Sequence, residues 1–334
     1  MATLSSTLLT LADWAKRLDP DGKIPTIVEL LSQTNGILQD MLWKEGNLPT
    51  GDRTTVRTGL PTVFWRLLNQ GVQPSKSTTA QIDEACGLLE AWSEVDVELA
   101  KLNGDTAAFR LSEAQAFIEA MNQEMAGTVF YGNSGTAPEE FNGFSVRYAD
   151  KTANNARNII DGGSVAGQTD CSSIWLVVWG ANTVHGIFPK GSKAGLEHND
   201  LGLQTVETVA GLSGAPIGSR LRVYQEQYIW KCGIALKDWR YVARIGSIDI
   251  TDNNADYIDL MTKAKNRIES LTMGRPVFYM NRTIAERLEL LRRTDVVTGG
   301  GLTYDNVDGK WEATFRGIPI RVCDALSETE TSLN

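Results

Sequence analysis

The sequence is poor in the residues that most often carry enzyme chemistry. It has two histidines, His185 and His198, and four cysteines that form no CxxC pair. A metal site or a catalytic triad needs several convergent partners around each such residue, and the sequence shows none. The scattered cysteines, from Cys86 to Cys323, predict buried free thiols in a reducing compartment. We therefore expect no catalytic residue, no metal and no cofactor.

Long apolar runs and basic clusters are also absent. No stretch approaches the roughly 20 apolar residues that a membrane-spanning helix requires, and the first residues lack the basic segment of a secretory signal. The formal net charge is -9, with 32 Lys and Arg against 41 Asp and Glu. Tight phosphate binding depends on clustered bases. We expect a protein that is made in a cytoplasm. It either avoids nucleic acid or lies against it without binding it tightly.

The remaining composition is that of a globular protein with bulky anchors. Hydrophobic residues make up 42% of the 334 residues, which suits one large or two modest domains. Nine Trp and nine Phe favour a well-filled core and protein–protein interfaces.

The first 80 residues predict two extended features. Residues 1–45 consist of short amphipathic helical pieces without a compact core of their own, which indicates an arm that packs on something else. Residues 46–80 contain two β-rich runs, 53–59 and 60–68, and therefore predict a long β-hairpin. An isolated hairpin is only marginally stable in water, so this one is expected to lie against a neighbour. The candidate inter-subunit contacts are Arg53, Arg57, Trp65, Arg66, Trp14 and Trp43.

The clearest helical pattern covers residues 112–127. Ser112 and Gln115 have the spacing of a capping box, and apolar residues follow at helical intervals. The predicted cap and core residues of this helix are Ser112, Gln115, Phe117, Ile118 and Met121.

The rest of the chain mixes strands and helices. Residues 81–103 fit either strand or helix, with alternation that favours strand at their end. The unbroken apolar run at 174–179 is typical of a strand buried on both faces. Residues 219–250 are rich in strand formers, whereas 254–293 return to helical spacing, with Asn281 as a cap.

Taken in order, these segments resemble the major capsid proteins of tailed bacteriophages, which have the Hong Kong 97-like fold, and above all those of short-tailed phages. The order is a helical arm, an extended hairpin, a strand over 80–99, and one long helix ending near Tyr131-Gly132-Asn133. In the family these are the N-arm, the E-loop, a peripheral-domain strand and the spine helix. The segment 315–322 resembles the Gly-x-Pro strand of the axial domain. The likeness covers most of the chain.

The resemblance implies an α+β fold with an arm, an E-loop, a peripheral domain with the spine helix, and an axial domain. The implied bounds are 1–45 for the arm, 46–80 for the E-loop, 81–140 with 219–250 for the peripheral domain, and 141–218 with 251–334 for the axial domain and connections. Because 219–250 precedes the helices of 254–293, we hypothesise a permuted connection. A structure with 219–250 outside the peripheral sheet would contradict that hypothesis.

The resemblance also implies a function by assembly. Subunits would form hexamers and pentamers of an icosahedral shell that encloses a phage genome. Implied partners are a portal protein, a scaffolding or cementing protein, and packaged double-stranded DNA apposed non-specifically, with assembly in the bacterial cytoplasm. No Lys–Asn–Glu crosslinking set is identified. The alternatives are an encapsulin-type compartment or decoration protein, and a cytosolic enzyme of unrecognised class.

Overall fold

The computed structural model describes residues 33–102, 105–207, 220–251, 256–294, 302–307 and 310–333. Most of the predicted arm, with Trp14, lies outside the described residues. The helices are α1 (Ile37–Asp40), α2 (Val97–Lys101), α3 (Thr106–Tyr131), α4 (Phe144–Arg147), α5 (Tyr257–Arg267) and α6 (Arg282–Thr294). The first seven strands are β1 (Trp43–Glu45), β2 (Gly51–Gly59), β3 (Thr78–Ala85), β4 (Gly87–Asp96), β5 (Ile159–Asp161), β6 (Cys171–Trp179) and β7 (Val184–Phe188). The others are β8 (Leu196–Glu207), β9 (Arg220–Leu236), β10 (Val242–Asp249), β11 (Arg275–Met280), β12 (Leu302–Val307), β13 (Lys310–Phe315) and β14 (Ile318–Val322).

The described residues form two compact units. The helix unit contains Leu88–Met125 and Gly195–Trp230, and the sheet unit contains Thr34–Gly87, Ala126–Ala194 and the residues from Lys231 onward. Each unit has both helical and strand residues. The α+β class predicted from the sequence is therefore confirmed.

Strand β6 lies at the centre of the sheet unit. It pairs antiparallel with both β10 and β11, so that Val177 lies opposite Val242 at one edge and Val277 at the other. All residues of β6 are buried, as the unbroken apolar run predicts. Beyond β11 the sheet continues through parallel β14 to the antiparallel strands β13 and β12.

The core of the sheet unit joins one face of this sheet to α5 and α6. Ile174 and Leu176 of β6 belong to the same buried cluster as Met261 of α5 and Ile284 of α6. Helix α6 begins as predicted, because the backbone N–H of Ile284 donates to Asn281 Oδ1 at 2.8 Å. Such a cap satisfies an otherwise unpaired helical N–H.

The helix unit packs α3 against a sheet face. Met121 and Tyr228 share a buried cluster, and the ring of Phe117 stacks on Tyr228 with centroids 6.2 Å apart. A polar group adjoins this cluster: Arg110 Nη2 lies 2.6 Å from Glu226 Oε1 and 2.7 Å from Asp200 Oδ1. The hydrogen bond from Arg110 holds the pKa of Asp200 below its ordinary value.

Helix α3 begins six residues before the predicted cap. It starts at Thr106, and Asp105 Oδ1 accepts a hydrogen bond from the backbone N–H of Ala108 at 3.0 Å. Ser112 therefore lies inside the helix, and its buried hydroxyl has no hydrogen-bond partner among the described residues. The capping-box prediction for Ser112 and Gln115 is wrong, because an Asp already caps the helix upstream.

The stretch 219–250 is divided between the units, unlike the single peripheral grouping predicted for it. Residues 220–230 of β9 belong to the helix unit, whereas β10 belongs to the sheet unit, where it pairs with β6 and β5. The burial patterns give the physical reason. Strand β10 contributes Ala243, Ile245 and Ile248 to the core of the sheet unit and is buried along nearly its whole length, while the first half of β9 mixes exposed and buried positions.

Candidate assembly surface

Strands β2 and β3 form the extended hairpin of the sheet unit. They pair antiparallel from Gly51 opposite Ala85 to Gly59 opposite Thr78. A bidentate ion pair links them, since Arg53 Nε and Nη2 each donate to a carboxylate oxygen of Asp83 at 2.6 Å. The hydrogen bond from Arg53 lowers the pKa of Asp83. Both side chains are about half exposed, so solvent screens the pair and its net contribution is small.

The base of the hairpin is held more firmly than its tip. The half-buried Glu84 of β3 pairs with Arg147, whose Nη2 lies 2.7 Å from Glu84 Oε2. A Cβ placed on Gly51 would come within 1.9 Å of the Glu84 carbonyl oxygen. Only glycine therefore lets the two strands approach this closely. These contacts connect the base of the hairpin to the rest of the sheet unit.

The connection between β2 and β3, residues 60–77, is an apolar loop without packing partners in its own chain. It contains neither helix nor strand, and all of its residues are exposed. Trp65 is 104% exposed, Leu68 90%, Val63 86% and Leu60 81%. A contiguous apolar surface of this kind on a folded protein marks an interaction site. We call residues 60–77 the hairpin loop.

The hairpin loop and its flanks carry only positive charge. Between Arg53 and Asp83 the sequence has Arg57, Arg66 and Lys76 and no Asp or Glu. The whole chain has a net charge of -9. The loop is therefore a local cationic and apolar surface on an acidic protein.

The structure brings some of the predicted contact residues together and separates others. Arg57, Trp65 and Arg66 lie exposed on the hairpin, and Arg53 lies at its base beside Asp83. Trp43 lies elsewhere, half-buried in β1, where its ring carbons leave no room for a side chain on Gly186.

Of the predicted core residues of α3, some are buried and others are exposed. Met121 is buried and Phe117 is partly buried against Tyr228. Gln115 and Ile118 are exposed, with Ile118 at 44%. The prediction that Ile118 belongs to the core is wrong for the isolated subunit.

Sequence reasoning missed the second strand of the hairpin. The predicted strand at 60–68 is loop, and the true partner of β2 is β3. Strand β3 is almost entirely exposed and polar in sequence, so it has no hydrophobic alternation to reveal it. Pro61 and Pro74 bracket the loop and were the available signal against strand pairing there.

The two histidines lie in different environments. His185 is fully buried, and burial together with Lys237 and Lys44 lowers its pKa to about 4. His198 is half-exposed, with Nε2 3.3 Å from Glu226 Oε2. Among the described residues, no three His, Cys, Asp or Glu side chains are grouped to hold a metal. Within the same residues, no helix is both long and apolar enough to cross a membrane.

Comparison with known proteins identifies the family. The major capsid protein GP7 family matches residues 19–334. A chain from the near-atomic structure of bacteriophage Epsilon15 is 30% identical and superposes with a TM-score of 0.77, covering 100% of this chain and 99% of that one. The bacteriophage JBD30 capsid is 11% identical with a TM-score of 0.46, covering 90% and 93%. No curated protein matches the sequence.

These matches confirm the predicted resemblance. The exposed hairpin, the long helix α3 and the two α+β units occur in a chain that the family covers from residue 19 to its end. The chain belongs to the major capsid protein GP7 family, has the Hong Kong 97-like fold, and is a shell-forming subunit of a bacteriophage capsid.

Proposed function

We propose that the hairpin loop joins neighbouring subunits of the shell by packing on the surface of a second copy. The observation that carries this proposal is the exposure of the loop, in which Trp65, Leu68 and Val63 touch almost nothing of their own chain. Burying one such side chain contributes about 1.5–3 kcal/mol. Several together offset an association cost of at least about 4 kcal/mol.

Charge supports the same partner. Copies of a chain with net charge -9 repel one another unless cations meet acids at the contacts. Arg57 and Arg66 on the hairpin supply such cations, and neither has an ion pair among the described residues. The partner surface is therefore expected to be apolar at its centre and acidic at its rim.

We further propose that the helix unit corresponds to the peripheral domain, with α3 as its spine helix, and that the sheet unit corresponds to the axial domain. The support is the length of α3 and the position of the Gly-x-Pro segment, which comprises Gly317 and the first two residues of β14 and lies in the sheet unit. The hairpin then takes the place of the E-loop, and residues 1–45 that of the arm.

We propose hexamers and pentamers of an icosahedral shell, assembled in the bacterial cytoplasm with a portal and a scaffolding or cementing protein. The acidic net charge supports a lining that lies against packaged double-stranded DNA without specific contacts. The role is structural and not enzymatic, which the membership in a capsid family supports.

The hairpin proposal is tested by Trp65→Ala combined with Arg66→Ala. We expect a folded subunit with unchanged circular dichroism that no longer sediments as particles of megadalton mass. The matched control is Gln70→Ala with Gln73→Ala, which alters two exposed polar residues of the same loop and should leave assembly intact. Normal assembly of the first variant would refute the proposal, and loss of subunit folding would place the loop in the core.

A further inference from the structure

The sheet unit contains a cavity of about 470 Å³ whose charged lining is mostly basic. Lys151, Arg157 and Arg267 contribute cations, and Asp161 is the acid of the lining. The cavity lies where the turn at Ala156–Asn158 enters β5, next to the last turn of α5. It is separate in sequence from the hairpin, and the proposed contact between subunits does not use it.

Two of the three cations already have acidic partners. Lys151 Nζ lies 2.6 Å from Asp161 Oδ2 and also donates to the Leu333 carbonyl at 2.9 Å. Arg157 Nη1 lies 3.2 Å from Glu269 Oε1. Each of these pairs is at least partly exposed, and each leaves donors of its cation free for another acceptor.

Arg267 differs from both because it has no carboxylate partner among the described residues. Its Nη1 donates to the carbonyl oxygens of Arg157 and Ile159, each at 2.7 Å. Burial and the nearby Arg157 charge both lower its pKa. A guanidinium held in place by main-chain oxygens beside a second arginine has a fixed position and an uncompensated charge. Phosphate-type oxyanions are suited to bind such paired arginines bidentately.

We propose that this cavity, lined by Lys151, Arg157 and Arg267, binds a phosphate-type oxyanion. The group is either inorganic phosphate or a phosphodiester of nucleic acid, and both offer the same oxygen acceptors to the two guanidinium groups. Asn266 also lines the cavity and supplies a further amide donor. This inference does not depend on the hairpin contact, and either proposal can fail without the other.

Isothermal titration of the full-length subunit with inorganic phosphate tests the site, at constant ionic strength set with chloride. We expect saturable binding, a higher midpoint of thermal unfolding in phosphate than in chloride, and about a tenfold or greater loss of affinity in Arg157→Gln. Arg157 is mainly exposed, so this variant is expected to fold. The matched control is Lys263→Gln on α5, which removes an exposed cation paired with Asp259 and should bind phosphate normally.

Arg267→Lys is the second variant, because it keeps a positive charge while losing the planar fork, and it should also weaken binding. Competition with a short DNA duplex separates the two sources: displacement of phosphate indicates a phosphodiester, and no displacement indicates free phosphate. Absence of phosphate binding by the wild-type chain would overturn the proposal. So would unchanged binding in both arginine variants, or equally strong competition by succinate, which would make a carboxylate the occupant.

Discussion

Arg244 and Glu330 form a buried ion pair in the sheet unit, with Nη2 of the arginine 2.8 Å from Oε2 of the glutamate. Their side chains are only 4% and 6% exposed. Arg244 also donates hydrogen bonds to Ser173 Oγ and to the Tyr148 carbonyl, and the Tyr131 hydroxyl donates a hydrogen bond to Glu330 Oε1. The pair thereby fastens the C-terminal residues to the central strands.

Removing one charge of this pair should be costly. Glu330→Gln leaves the Arg244 guanidinium buried without its counter-ion, so we expect a loss of about 3–5 kcal/mol in the free energy of unfolding. Urea denaturation of the subunit, monitored by circular dichroism, measures this loss in the free energy of unfolding. The matched control is Glu269→Gln, whose pair with Arg157 is exposed and should cost less than about 1 kcal/mol. Equal losses in the two variants would contradict this assignment.

Gly51 should be required at the base of the hairpin, and Gly71 in the loop should not. Gly51→Ala places a methyl group against the Glu84 carbonyl, whereas a Cβ on Gly71 meets nothing within 4 Å. We expect Gly51→Ala to redirect the hairpin and reduce particle yield in sedimentation, and Gly71→Ala to assemble normally. Limited proteolysis should show faster cleavage between β2 and β3 in the first variant alone.

The stability of the subunit should depend on pH through His185. Its pKa is lowered from the ordinary histidine value of 6.5 to about 4 in the folded chain. As the pH falls, the unfolded chain therefore binds a proton at His185 at a higher pH than the folded chain does. The contribution of neutral His185 to the free energy of unfolding is complete above pH 6.5. It is lost as the pH falls towards 4, by about 3 kcal/mol in total.

Denaturation midpoints between pH 4 and pH 7 check this dependence. His185→Leu should flatten the pH profile in that window, whereas His198→Gln, at a half-exposed position, should retain most of it. A His185→Leu profile as steep as that of the unmodified chain would assign the pH dependence to other groups.

The start of α3 gives a further pair of variants. Asp105→Ala removes the side chain that accepts the Ala108 N–H, and we expect a loss of about 1 kcal/mol in the free energy of unfolding. Ser112→Ala should be neutral or slightly stabilising, because the serine hydroxyl is buried and has no partner among the described residues. Thermal unfolding ranks the two. A larger loss for Ser112→Ala would restore the capping role predicted from the sequence.

Several features could be read from the sequence because they depend on local chemistry. The unbroken apolar run of β6 is buried on both faces, since only a central strand accommodates it. Asn281 caps α6, since capping requires only a side-chain oxygen three residues before an N–H. The order of arm, hairpin, strand and long helix carried the resemblance to phage capsid proteins, and the family match confirmed it.

Other features needed partners that lie far away in the chain. Strand β10 and β9 each pair with strands on both edges, yet only β10 is buried along nearly its whole length. The faces of a strand are covered by whatever packs on the sheet, and strand pairing alone does not decide this. Strand β3 is polar and pairs with β2 through backbone hydrogen bonds, which hydrophobic periodicity does not report.

The sequence by itself determined the α+β class, the buried central strand and the family. Only the tertiary structure decided that the apolar residues 60–77 remain exposed. A run such as Val63-Phe-Trp65 has the composition of a core strand. Such a composition indicates how much free energy burial of these side chains would gain. Whether burial occurs depends on which surface is within reach, and among the described residues of the isolated subunit no surface covers this loop.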